Sequence, residues 1–205
     1  MSTVPEPATS DGPWTVDFWL DPACPLTRNT ARWLELVARE LAIEVHWRIM
    51  SLSILNEHRE VDPEGDEEGY LWIPARIGAA VRHEHGSAAL RSFYWALWTE
   101  PDGTEREWLG DLEEALHRGG LPTALAGAGW STDYDTVLRA SHQDAVGRIE
   151  AEVGTPILAL STATGEPHTI FGPVLSNVPE PAEAIRIWQA CTVLAAAPSF
   201  RELKH

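Results

Sequence analysis

Two cysteines, Cys24 and Cys191, are the candidate nucleophiles of this 205-residue chain. Cys24 is the one placed for chemistry. It follows a short apolar and aromatic run, residues 15–20, then the pair Asp21-Pro22, and it precedes Pro25. The run has strand composition. Asp-Pro breaks it. Proline suits the first helical position, where a missing N–H costs nothing. Thr30, Leu34, Val37 and Leu41 then recur at helical spacing. Cys24 therefore falls at a helix N-terminus, where unpaired N–H groups and the positive end of the helix dipole favour a thiolate. The thiolate is the nucleophile of cysteine chemistry, so the expected reaction is attack by sulfur on a disulfide or an electrophile. Core packing is the alternative for any lone cysteine. It is the expectation for Cys191, which shares an apolar stripe with Ala184, Trp188 and Ala195 on the last helix.

The elements that must position Cys24 can be read from periodicity. Residues 43–50 alternate apolar and polar, as a strand does. With the first strand and helix they make a right-handed βαβ unit with parallel strands. Residues 57–69 are an acidic, solvated loop. Helical repeats follow over 70–99 with a break at Gly86, over 107–118, over 121–128 and over 133–153. Trp72, Trp95, Trp98 and Trp108 are expected to pack this block or line a cleft beside it. Gly154-Thr155-Pro156 ends the block. Strands over 157–161 and 168–171 form a hairpin around a turn at 163–166. The final helix covers 181–197. The order is β-α-β, helices, then β-β-α. This is an α/β, thioredoxin-like fold with an all-helical insertion between its halves. The expected division is a disordered leader at 1–13, a thioredoxin-like domain from 14–56 and 154–205, and a helical insertion at 57–153. In such an arrangement an X-Pro bond ahead of the third strand packs against the active cysteine. Thr155-Pro156 holds that place, so a cis bond is expected. It would turn the Thr155 backbone outward to pair with an incoming substrate chain.

Composition narrows the function. The formal net charge is −16, which repels phosphate backbones and anionic membrane surfaces, so neither nucleic acid nor membrane is an expected partner. No apolar run is long enough to span a bilayer. The first residues lack the basic start and apolar middle of a signal peptide. Two cysteines make no disulfide framework and fit a reducing compartment, so a cytoplasmic location is expected. There is no glycine-rich phosphate loop and no Gly-x-Ser-x-Gly elbow. His83 and His85 are two apart and do not share a helix face. No metal and no bound cofactor is expected. Homodimerisation stays open.

Several stretches in order resemble a known family. They are Asp17-Phe18-Trp19 with Asp21-Pro22-Ala23-Cys24-Pro25, then Met50-Ser51-Leu52-Ser53-Ile54-Leu55-Asn56-Glu57, then Val153-Gly154-Thr155-Pro156, then Phe171-Gly172-Pro173-Val174-Leu175-Ser176, and at the end Phe200-Arg201-Glu202-Leu203-Lys204. Together they resemble the DsbA-like thioredoxin-fold proteins of actinobacteria, most of all the mycothiol-dependent nitroreductases. Active members carry Cys-Pro-Trp-Cys, usually followed by another Trp. Here the run is Cys24-Pro25-Leu26-Thr27-Arg28. The nucleophilic position is kept, Thr27 replaces the resolving cysteine, and both tryptophans are gone. A dithiol couple needs two sulfurs within bonding reach, so Cys24 cannot cycle through an intramotif disulfide.

A one-cysteine cycle remains complete. The Cys24 thiolate forms a mixed disulfide, and a second small thiol resolves it. The resemblance implies mycothiol as that cosubstrate. Thr27, one turn into the helix, can donate its hydroxyl to the thiolate. The expected set is thus Cys24 and Thr27 as catalytic residues, with Pro25, Asn56, Thr155 and Pro156 binding substrate. Asn56 enters through the resemblance alone. Asp21 reads as a turn former whose charge would raise the thiol pKa, and it is left out of the catalytic set. The expected partners are a small thiol and a disulfide or electrophilic substrate. Two alternatives stand beside this reading. One is a thiol-dependent transferase or isomerase like the kappa-class glutathione transferases. The other is a thioredoxin-like binding protein without catalysis.

Overall fold

The computed structural model describes residues 13–163 and 165–200. The leader expected at 1–13 lies outside them apart from Pro13, as do Thr164 of the hairpin turn and the terminal run 201–205.

Strand β1 (Trp14–Leu20) runs through the middle of a four-stranded sheet of order β2-β1-β3-β4. It pairs in parallel with β2 (Glu44–Ile49) and antiparallel with β3 (Ile157–Thr162), which pairs antiparallel with β4 (His168–Phe171). The last three residues of β1, Phe18, Trp19 and Leu20, are all fully buried. Alternation fails there because both faces of a central strand are covered. Helix α1 (Pro25–Leu41) buries Thr27, Thr30, Ala31, Trp33, Leu34 and Val37, one stripe at helical spacing. The indole of Trp33 donates to the Ala184 carbonyl on α7 (Pro181–Ala195) at 3.0 Å, tying the two helices together. This is the expected thioredoxin order.

Between β2 and β3 stand α2 (Leu52–Asn56), α3 (Trp72–His85), α4 (Ser87–Trp98), α5 (Leu112–Arg118), a 3-10 helix (Thr123–Trp130) and α6 (Asp135–Val146). Gly86 separates α3 from α4 at a φ of 87°, which glycine adopts without a Cβ penalty. Helix α5 starts later than the expected 107 because Asp111 caps it, accepting from the Glu114 N–H. Helix α6 stops at Gly147 and does not reach 153. Residues 121–128 were expected to be helical, and the chain there takes the tighter 3-10 form. Asp66 accepts from the N–H groups of Tyr70 and Leu71, so one acid of the 57–69 loop closes the entry to α3. Trp98 is buried, Trp72 and Trp95 partly so, while Trp108 is 81% exposed and packs nothing, contrary to expectation. One continuous core joins Phe18, Leu34 and Ile49 of the βαβ unit to Ile77, Leu90, Phe93 and Leu97 of the helices. That core fixes the helical block against the sheet, and with it the walls around Cys24.

Candidate functional site

Cys24 is the residue immediately ahead of α1, with extended backbone, and Pro25 takes the first helical position. The Cys24 N–H closes a turn onto the Asp21 carbonyl at 3.3 Å. Only 9% of Cys24 is exposed. Pro25 and Leu26 lie outward, Leu26 with 52% of its surface open, and form the rim.

Beneath the rim the polar groups are arranged in a line. The Asp21 N–H donates to Thr155 Oγ1 at 3.2 Å, and Thr155 Oγ1 lies 3.1 Å from Thr27 Oγ1. The Thr27 hydroxyl and the N–H groups of Thr27 and Leu26 lie near enough to the Cys24 sulfur to pull its pKa down. Each hydroxyl has one proton to give. With a thiolate, Thr155 donates to Thr27 and Thr27 donates to sulfur. With a thiol, the S–H donates to Thr27 and Thr27 turns its proton toward Thr155. Rotation of the two hydroxyls is thus sufficient to accommodate either charge state. Thr27 is fully buried and Thr155 is 5% exposed, so water does not compete within the line.

The Thr155–Pro156 peptide bond is cis, as the chain order led us to expect. Pro156 is buried beside Thr155. A second cis bond, Gly172–Pro173, was not foreseen. It follows a glycine at a φ of 83° whose N–H donates to the Pro156 carbonyl at 2.9 Å. Thr30 and Asn29 of α1 then donate to the carbonyls of Pro173 and Leu175 at 2.6 and 2.9 Å. Both proline loops are therefore bonded to the helix that begins at Cys24 or to each other. The Thr155 hydroxyl faces inward, onto the Asp21 N–H and the Thr27 hydroxyl.

Asp21 is the residue whose part the sequence did not disclose. It is 1% exposed and accepts from the N–H groups of Ala23 and Leu52, both at 2.7 Å. One carboxylate so joins the Cys24 turn to the start of α2. Burial pushes its pKa from 3.8 up to about 6, against the pull of those two N–H groups. Burial also pushes the Cys24 thiol above its ordinary value. Thr27 and Leu26 oppose this, and the Asp21 charge adds to it. The helix start thus favours a thiolate less than its sequence suggests, because desolvation outweighs the donors. A missed short helix, α2, carries Asn56 at its end, 6% exposed. Among the described residues Asn56 makes no hydrogen bond to the line at Cys24. Its neighbour one turn back, Ser53, has a buried hydroxyl without a partner. The far wall is α4, whose Trp98 donates from its indole to the Pro22 carbonyl at 3.1 Å. The Arg28 guanidinium lies 4.9 Å from the Trp98 ring and donates to the Arg106 carbonyl. Cys191 stands apart on α7, half-buried, its thiol pushed by burial up to about 11. Among the described residues no helix is long and apolar enough to cross a membrane.

Known proteins share this architecture. The structure of DsbA2 from Pseudomonas aeruginosa superposes with a TM-score of 0.52 at 16% identity, covering 92% of each chain. That of 2-hydroxychromene-2-carboxylate isomerase does so at 0.52 and 14% identity, covering 88% of this chain and 95% of the other. At those identities the likeness is one of fold. In sequence, the Mycobacterium tuberculosis protein named "Uncharacterized protein Rv2286c" is 32% identical over 201 residues, 93% of this chain and 81% of that protein. The family model described as "Rv2466c-like: Mycothiol-dependent nitroreductase Rv2466c" matches residues 23–205, a span that begins one residue before Cys24 and takes in Thr27, Asn56, Thr155 and Pro156. The chain belongs to the Rv2466c-like mycothiol-dependent nitroreductase family.

Proposed function

We propose that this protein is a one-cysteine thiol–disulfide oxidoreductase, with Cys24 as nucleophile and mycothiol as the small thiol that completes its cycle. Family membership supports a thiol-dependent oxidoreductase and a mycothiol cosubstrate. The single observation that carries the one-cysteine form is the line from the Asp21 N–H through Thr155 and Thr27 to the sulfur. In the first step the Cys24 thiolate attacks a disulfide R–S–S–R′. The S–S bond breaks, Cys24–S–S–R forms, and R′S⁻ leaves and takes a proton from water. In the second step a mycothiol thiolate attacks the R sulfur. The bond to Cys24 breaks, and the sulfur returns as a thiolate facing Thr27. Electrons balance at each step, with one disulfide bond broken and one formed. Pro25, Thr155 and Pro156 shape the wall beside the sulfur, and Asn56 is assigned to the cosubstrate. A cytoplasmic site of action follows from the need for a reducing thiol pool.

A second reading has one observation in its favour. A sulfur whose pKa is raised is a poor standing thiolate at neutral pH. If the hydroxyl line instead served the thiolate of a bound cosubstrate, the protein would be a thiol-dependent transferase or isomerase. Incubation with mycothiol disulfide in a Cys191→Ala background, read by intact mass, separates the two. We expect one mycothiol adduct on the parent and none on Cys24→Ser, with exchange activity lost. Full thiol–disulfide exchange by Cys24→Ser would overturn the proposal. Turnover of a thiol with an electrophile surviving in that variant would establish the second reading.

A further inference from the structure

Arg28 carries a positive charge that the fold does not neutralise. The chain holds 31 acidic residues against 15 basic ones. The neighbouring arginines are paired, Arg32 with Glu105 and Arg106 with Glu100 and Glu114. Among the described residues Arg28 has no carboxylate, and its one hydrogen bond runs from Nη1 to the Arg106 carbonyl. Its Nε is buried without a partner. A guanidinium has five N–H donors in a fixed fork, and Nε with Nη2 forms an edge that can hold a carboxylate by two parallel bonds. That edge has no acceptor among the described residues. A buried donor left in this state costs free energy that an apolar side chain of similar size would not.

The position of this edge is set by Trp98. The Arg28 guanidinium lies 4.9 Å from the Trp98 ring, and the indole N–H of the same residue reaches the Pro22 carbonyl, two residues before Cys24. One indole thus holds both the cation and the cysteine turn. Along the chain Arg28 belongs to the first turn of α1, four residues after Cys24. A helical turn rises about 5.4 Å, and a disulfide bond is about 2 Å long. A carboxylate carried two carbons from the sulfur that Cys24 attacks has the length to reach the guanidinium.

We propose that Arg28 selects small disulfides that carry a carboxylate close to sulfur, by pairing that carboxylate with its open edge. This rests on the one-cysteine reading and names the substrate class of the same site. The Cys24 thiolate attacks the sulfur that bears the acid, the S–S bond breaks, and the other half leaves as a thiolate. The carboxylate stays paired with Arg28 in the mixed disulfide. Arg28 moves no proton and meets the substituent, not the reacting sulfur. The net charge of −16 repels anions at long range, so a preference for an acidic disulfide needs a local cation and is diagnostic of one.

The test is the rate of mixed-disulfide formation at Cys24, read by intact mass in a Cys191→Ala background. Three small disulfides are compared: 3,3′-dithiodipropionate, which is anionic, bis(2-hydroxyethyl) disulfide, which is neutral, and cystamine, which is cationic. The parent should react fastest with dithiodipropionate. Arg28→Gln should slow that reaction by about tenfold, the loss of one charge-assisted pair, and leave the hydroxyethyl disulfide within about twofold. Arg28→Lys, which keeps the charge but not the fork, should keep the order of the three at a reduced margin; a lysine variant that prefers cystamine would overturn the proposal. Equal slowing of all three by Arg28→Gln would make Arg28 a support of the helix start, overturning its part in selection and leaving the one-cysteine reading standing. A parent that favours cystamine, or treats the three alike, would do the same. No adduct on the parent with any of the three, nor with mycothiol disulfide, would overturn both.

Discussion

Replacing Asp21 by asparagine separates the charge of the buried carboxyl from its shape. Its pKa in the folded protein is about 6, against an ordinary 3.8. A carboxyl raised in this way holds its proton more tightly folded than unfolded. Its contribution to stability is therefore fully present below 3.8 and is lost as pH rises through 6. The gap between the two values corresponds to about 3 kcal/mol, and roughly half of that falls above about pH 5. Asparagine removes the titration. It keeps one of the two N–H bonds, because its amide nitrogen cannot accept from the other. The N–H left unpaired costs roughly 1–3 kcal/mol at every pH.

The two effects have different signatures. At acid pH the variant is less stable than the parent by the unpaired N–H alone. Toward about pH 8 the parent has lost about 3 kcal/mol, so the variant draws level with it or overtakes it. Urea unfolding at about pH 5 and about pH 8 should show the stability difference between them change by about 1.4 kcal/mol in the variant's favour. Using the difference cancels every other titrating group, including His142, whose buried ring is itself held below its ordinary pKa. Parallel curves would refute the reasoning, since they would mean that Asp21 carries the same charge folded and unfolded over that range. The same variant should alkylate faster at Cys24 near neutral pH, because the carboxylate that raises the thiol is gone.

Two further substitutions probe the walls. Thr27→Val keeps the shape of a buried side chain but removes the hydroxyl that faces sulfur, so Cys24 alkylation at neutral pH should fall by about tenfold, while Thr27→Ser should restore it; equal rates in the valine and serine variants would exclude the hydroxyl line. Gly78→Ala places a Cβ 2.8 Å from Ile49 Cδ1 and 3.4 Å from Pro22 Cγ, in the α3 surface that backs the Cys24 turn. Overpacking of about 1–3 kcal/mol is opposed by a helix-propensity gain of about 1, so a net loss of about 1 kcal/mol in urea is expected. A variant more stable than its parent would show that Ile49 yields freely.

What could be read from the sequence was what local chemistry dictates. The strand, the Asp-Pro turn, the proline at the helix start and the stripe along α1 lie within some thirty residues, and each is set by neighbours in the chain. Thr155-Pro156 was found because the order of elements leaves one place for it. Asp21 was read as a turn former whose charge raises the thiol, and it does both; its second partner, the Leu52 N–H, lies 31 residues away and left no local signal. Helix α2 is five residues long and has little periodicity to show; Ser51, which accepts from the Ile54 N–H, was its one signal. The ends of α5 and α6 were misplaced because the apolar repeat ran past a cap at Asp111 and a stop at Gly147. The ionisation of Cys24 was misjudged for a different reason. A helix start is a local feature, but burial to 9% exposure depends on tertiary packing that no local stretch encodes.

Thr27 is the residue on which the proposed chemistry turns. A resolving cysteine in its place would need its sulfur free to reach Cys24. The oxygen there is instead fully buried and bonded to Thr155 at 3.1 Å. In the proposed cycle this position supports charge on Cys24 and is not a second redox centre. Two consequences follow for the proposed cycle. The electrons that reduce the mixed disulfide must come from a thiol outside the chain. That thiol meets a Cys24 sulfur which is nearly covered, so it attacks the more open sulfur of the bound substrate, and Cys24 becomes the leaving group. A thiol of raised pKa leaves slowly unless its charge is met as it forms. The hydroxyl of Thr27 is the group beside the sulfur from which that charge can be met.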